Sequence, residues 1–140
     1  MTTPAKPSFT NIWYRTQGVV YFIGAGTPPE AIKIGCATRK QLITRLRAVH
    51  GMNHRDPVLL GVLAFDSMRD AEAMETQLHV QFAKAQLRKP RTAGAEWFRP
   101  DSDLIGFICE NTTLPGTIPD FPNSDLIHDG YCAAVRQLRD

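Results

Sequence analysis

Residues 18–36 read GVVYFIGAGTPPEAIKIGC, and the fold turns on this stretch. Gly18 to Ile23 is a β-branched and aromatic run. A loop with Gly24, Gly26, Pro28 and Pro29 follows, and Ala31 to Cys36 is a second strand-like run. The connection is short and rich in turn residues, which predicts an antiparallel hairpin with a wide loop. Period-2 alternation puts Tyr21 on one face with Val19 and Ile23, and leaves Lys33 flanked by two isoleucines.

Working outward, Thr38 is suited to cap a helix from Arg39 to about His50, in which Leu42, Ile43, Leu46 and Val49 form one apolar stripe. Arg45 and Arg47 flank that stripe, and Gly51 ends the helix. Pro57 to Phe65 (PVLLGVLAF) is nearly all apolar, which predicts a central strand buried on both faces. Asp66 or Ser67 then opens a long helix to about Arg88, with Ala71, Met74, Leu78, Phe82 and Ala85 on its apolar face. Glu96-Trp97-Phe98 is a short strand or anchor, and Pro100 and Asp101 start another helix. The order β-β-α-β-α, then a short strand and a helix, predicts an α+β fold: a small, mainly antiparallel three-stranded sheet flanked by helices. Residues 1–17 form an N-terminal arm, 18–112 the folded domain, and 113–140 an acidic tail containing Pro115, Pro119 and Pro122.

The chain has 140 residues and a net charge of +2, which conceals an asymmetry. Up to Arg99 there are fourteen basic and seven acidic residues, and beyond it two basic and seven acidic, so a body of +7 carries a tail of −5. Six basic residues and no acid lie between Lys33 and Arg55. A second basic cluster runs from Lys84 to Arg99. Such clusters favour a polyanionic partner, although solvated helix faces give the same pattern. The longest apolar run is less than half of the roughly 20 residues a membrane helix needs, and MTTPAKPSF at the start has no apolar core of a secretory signal. Cys36, Cys109 and Cys132 are far apart and match no disulfide or zinc spacing. The expectation is a cytoplasmic protein without a membrane partner.

Three side chains stand out chemically. On the long helix, Glu75 falls at the margin of the apolar stripe, and Glu72 lies about 60° further round, towards solvent. A carboxylate at such a margin costs free energy unless it meets a cation, a metal or hydrogen-bond donors; otherwise it reaches water. His79 lies one turn beyond it on the same side. Tyr21 and Lys33 read equally well as a core tyrosine and a solvent-facing lysine.

Together these residues fall into a pattern. GVVYFI, the glycine and proline loop, AIKIG and a helix bearing Arg45 resemble the GIY-YIG nuclease superfamily. Val19-Val20-Tyr21 stands at the first signature triplet and Lys33-Ile34-Gly35 at the second. The helix segment AMETQLHVQF followed by GAEWF is similar to the branch of phage-encoded and meiotically upregulated-gene proteins. The resemblance implies a metal-dependent endonuclease hydrolysing DNA phosphodiester bonds. It implies that Glu75 holds one Mg²⁺ or Mn²⁺, that Arg45 contacts the scissile phosphate, and that Tyr21 acts as general base or orients the attacking water. The metal and Arg45 would stabilise charge developing on the phosphate.

Lys33 is the departure, because many members carry a second tyrosine there. Unperturbed lysine is protonated at neutral pH and donates to phosphate but cannot serve as a base. Tyr21, or His79 through water, is then left for that role. Glu96 is a candidate ordering residue. Arg39, Lys40, Arg47, Arg55, Arg88, Lys89 and Arg91 would line the DNA-binding surface. Two rivals share the fold: a catalytically weak or inactive nucleic-acid-binding module, and a protein-interaction module whose acidic tail contacts a partner.

Overall fold

The computed structural model describes residues 9–25, 30–38, 41–42, 44, 57–87 and 96–112. In chain order these form α1 (Phe9–Arg15), β1 (Gly18–Ala25), β2 (Ala31–Thr38), β3 (Pro57–Phe65), α2 (Met68–Gln81), a 3-10 turn (Ala83–Ala85), β4 (Trp97–Phe98) and α3 (Ser102–Asn111). The fold is α+β, as expected. The four strands are antiparallel in the order β3-β1-β2-β4, with the short Trp97–Phe98 segment joining the sheet as a fourth strand. The β1–β2 hairpin closes from Gly18↔Thr38 to Ala25↔Ala31; residues 26–29 of the expected loop lie outside the described residues. No helix among the described residues is long and apolar enough to cross a membrane.

Two apolar layers sandwich the sheet. On one face, Val20, Phe22, Ile32, Ile34 and Leu60 pack under Met68, Ala71, Leu78 and Phe82 of the α2 side and Leu104 and Ile108 of α3. On the other, Val19, Tyr21 and Ile23 lie with Ala37, Leu42, Leu59 and Val62, and Trp97 packs against them. Alternation along β1 therefore sorts the layers as expected.

β3 departs from the expectation. Its apolar run predicts a central strand, but β1 and β2 are the strands with neighbours on both sides; among the described residues β3 pairs with β1 alone. Hydrophobicity reports that both faces are covered and carries no information about position in the sheet. A bulge opposite Phe22 and Ile23 skips Leu60, since Phe22 pairs with Gly61 and Ile23 with Leu59. The extra residue reverses the alternation, so Leu59 and Val62 both reach the Tyr21 face while Leu60 faces α2. Gly61 is required by a close approach: a Cβ there would run into the side chain of Thr112, just beyond α3.

Helix ends follow local chemistry where it is decisive. Ser67 caps α2 by accepting from the Asp70 N–H at 3.2 Å, and Asp101 caps α3 by accepting from Leu104 N–H at 2.8 Å. Thr38 and Gln41 exchange side-chain to backbone hydrogen bonds at 3.2 and 3.4 Å, a capping box at the start of the helix expected from Arg39. Leu42 and Thr44 are helical there.

Two expectations change. α2 stops at Gln81 rather than near Arg88, because the chain turns at Phe82 to pair with β4. Gln86 bridges Phe98, Leu87 N–H donates to Trp97 O and Arg99 N–H to Ala85 O. Phe82 and Ala85 stay buried through this change of conformation. Within the N-terminal arm, Phe9–Arg15 are helical, and Trp13 packs against the core layer under α2.

Candidate functional site

The second triplet, Lys33-Ile34-Gly35, is where the candidate residues meet. β4 pairs with β2 at Ile32 and Lys33, and Ile34 N–H donates to Glu96 O at 3.0 Å, at the start of that strand. Each of the three residues holds a different partner.

Gly35 lies under Tyr21. The two are direct register partners, and the tyrosine ring lies across the glycine. A Cβ on Gly35 would come within 2.5 Å of the hydroxyl oxygen and 2.6 Å of Cζ. Glycine is the residue that lets the ring pass over β2, and this gives a steric reason for the last position of the triplet. Tyr21 is 2% exposed, so its hydroxyl is held in place by packing.

Ile34 carries His79 from the opposite face of the sheet. His79 Nε2 lies 2.9 Å from Ile34 O. The imidazole stands edge-on to Phe98, with centroids 5.1 Å apart. Glu75, one turn earlier on α2, brings Oε1 to 3.6 Å from the same Nε2. Both side chains are about one-quarter exposed, which agrees with the margin of the apolar stripe. Glu75 also borders a cleft of about 580 Å³ lined by Tyr14, Arg69, Glu72, Ala73 and Thr76. Glu72 is half-buried there, not solvated. The helical wheel cannot show that α1, with Tyr14, lies against this side of α2.

Lys33 reaches Glu96, with Nζ 3.8 Å from Oε1. The lysine side chain is 17% exposed and the glutamate 40%. The register Lys33↔Trp97 explains the pairing, since it brings the residue next to Trp97 alongside Lys33.

Tyr21, Lys33, Glu75, His79 and Glu96 are thus gathered around three consecutive residues of β2. Arg45 lies outside the described residues, as do Arg39, Lys40, Arg47, Arg55, Arg88, Lys89 and Arg91 and the tail from 113 onward. The sequence reading missed the Ile34 carbonyl, because a backbone acceptor leaves no trace in residue identity. It also missed Tyr14 and Arg69 as neighbours of Glu75. Tyr14 leaves no sequence signal, since it meets α2 only through the packing of α1, whereas Arg69 stands three, four and seven residues before Glu72, Ala73 and Thr76, a helical spacing that puts it on the same face.

No curated protein and no solved structure matches the chain. Residues 18–111 match the T5orf172 domain from the first residue of β1 to the last of α3, and the chain belongs to the T5orf172 domain family.

Proposed function

We propose that the protein is a metal-dependent endonuclease that hydrolyses DNA phosphodiester bonds, acting at the edge of β2. The family membership supports a nuclease-like or DNA-binding role. One observation carries the finer reading: Tyr21 on one face and the Glu75–His79 pair on the other converge on adjacent residues, Gly35 and Ile34.

Among the described residues no three His, Cys, Asp or Glu side chains gather into a metal cage. Glu75 offers one carboxylate at the cleft. That donor set suits Mg²⁺ or Mn²⁺, which keep several waters and take one or two carboxylates. When bound, such an ion supplies Lewis-acid stabilisation of charge on the phosphate. Glu75 would hold it at the cleft, and Tyr21, its ring fixed over Gly35 on the opposite face of the sheet, is the residue that the first motif assigns to orienting the attacking water. Arg45 donates to the scissile phosphate. Lys33, opposite Ile23 in the strand pair and balanced by Glu96, adds a positive charge where other members have tyrosine.

The test is plasmid nicking with Mg²⁺, Mn²⁺ or EDTA, run beside Glu75→Gln. Cleavage by the native chain with either ion, lost in EDTA and in a folded Glu75→Gln variant, supports the reading. Full activity in Glu75→Gln removes the metal assignment. A second reading, a DNA-binding module without turnover, is favoured by the Lys33–Glu96 pair at the tyrosine position. It predicts binding with no metal-dependent nicking by the native chain.

A further inference from the structure

His79 presents a donor, not an acceptor, at the ring nitrogen nearest Glu75. Its Nε2 points at the carbonyl oxygen of Ile34 at 2.9 Å. A carbonyl oxygen only accepts, so the hydrogen of that bond belongs to Nε2. The nitrogen nearest Glu75 is therefore a donor. It has no lone pair for a proton from water or for a metal ion.

The surroundings hold the ring in that orientation. Phe98, fully buried, meets it edge-on from β4. The Ile34 carbonyl fixes it from β2, 45 residues away in sequence. The ring is thus tied to two strands as well as to its own helix, while Glu75, its neighbour one turn away, is on α2 alone. At 3.6 Å, Oε1 is beyond a direct hydrogen bond but inside the field of the same N–H. Although donated to Ile34 O, this N–H attracts the nearby carboxylate and limits the rotamers it samples.

We propose that His79 is a positioning residue: the Nε2–H anchored on Ile34 O steers the Glu75 carboxylate into the orientation that holds the metal. The inference rests on the reading of Glu75 as metal ligand, and it ties that ligand to the middle residue of the second triplet. Residues that orient a ligand without touching the metal are worth roughly 10–100-fold in metal affinity or activity.

The experiment uses the full chain and three variants. His79→Gln can carry an amide N–H to the place of Nε2. His79→Asn has its amide nearer the Nδ1 position, and His79→Phe keeps a ring against Phe98 with no donor. Mn²⁺ binding is followed by electron paramagnetic resonance of the free ion, alongside melting temperature and Mn²⁺-dependent nicking. In the metal-free native chain, nitrogen NMR should show His79 protonated on Nε2. His79→Phe and His79→Asn should bind Mn²⁺ about tenfold more weakly or worse, with His79→Gln recovering most of the loss at equal or lower melting temperature. Weaker Mn²⁺ binding that follows the donor and not the melting temperature supports the proposal. Unchanged Mn²⁺ affinity per folded molecule in His79→Phe and His79→Asn overturns it, whatever the stability cost, and leaves His79 a tie between α2 and β2. Should His79→Phe fail to fold, the Gln and Asn pair decides alone. Glu75→Gln, measured in parallel, separates the two levels. Loss of Mn²⁺ binding there with intact binding in the His79 variants removes only the positioning role. Intact binding in Glu75→Gln removes the metal reading, and the positioning role with it.

Discussion

At Gly35 the packing rests on one missing methyl group. The Tyr21 ring occupies the space that a Cβ would need, and both residues are buried. Gly35→Ala should destabilise the protein by about 1–3 kcal/mol, the usual range for overpacking. A cycle with Tyr21→Ala distinguishes this clash from a general strand effect: the cost of Gly35→Ala should largely vanish once the ring is gone. Thermal melts of the four proteins give the coupling, and additive losses would mean that the ring does not depend on this glycine. Glu75 calls for the reverse pattern. Its carboxylate is one-quarter exposed, so Glu75→Gln should abolish metal-dependent nicking while shifting the melting temperature by only a few degrees. Glu72→Gln should retain cleavage. These residues were readable locally to different degrees. Helical spacing is enough to put Glu75 and His79 on one side of α2, and alternation is enough to put Tyr21 with Val19 and Ile23. That the ring lies over Gly35 needs the register of the hairpin.

β4 is an element of two residues, and its anchorage is apolar. Phe98 is fully buried in the layer under α2, whereas the Lys33–Glu96 pair is open to water on the glutamate side. Phe98→Ala should cost about 3–5 kcal/mol. Glu96→Ala should cost about 1 kcal/mol or less, because solvent screens a pair of this exposure. Urea titrations of the two variants test the ranking, and a larger loss for Glu96→Ala would make the ion pair the main support of the strand. β4 also explains where α2 ends. Ala71, Leu78, Phe82 and Ala85 remain on the buried side, so the apolar spacing is satisfied beyond the last helical residue. The helix gives way to a 3-10 turn because residues 85–87 exchange hydrogen bonds with residues 97–99. No spacing within 68–88 encodes that exchange.

For the whole molecule, the basic body and acidic tail lead to predictions about DNA. Affinity should fall steeply with salt, and each phosphate contact removed should flatten the log–log slope by about 0.9. Replacing Arg88, Lys89 and Arg91 by alanine should weaken binding to all sequences alike. Salt-independent affinity, measured by fluorescence anisotropy, would favour a protein partner instead. Removing residues 113–140 deletes four of the seven acidic residues beyond Arg99 and spares Thr112, which meets the sheet at Gly61. The shortened chain should keep its circular dichroism spectrum and bind non-specific DNA more tightly. A lost spectrum would make the tail part of the fold. The amino-acid sequence by itself determined the strands, their two faces, the caps at Thr38, Ser67 and Asp101, and the exposed margin of α2 that holds Glu75. Each depends on neighbours within about four residues, where period and side-chain chemistry act directly. Only the tertiary structure decided that β3 lies at an edge, that Leu60 is bulged out of register, that α2 yields to β4, and that Lys33, Ile34 and Gly35 each receive a partner from a different element. Those outcomes depend on which distant segments pair. An apolar side chain is satisfied by any dry neighbour, and a backbone carbonyl such as that of Ile34 is the same in every residue, so neither names its partner in advance.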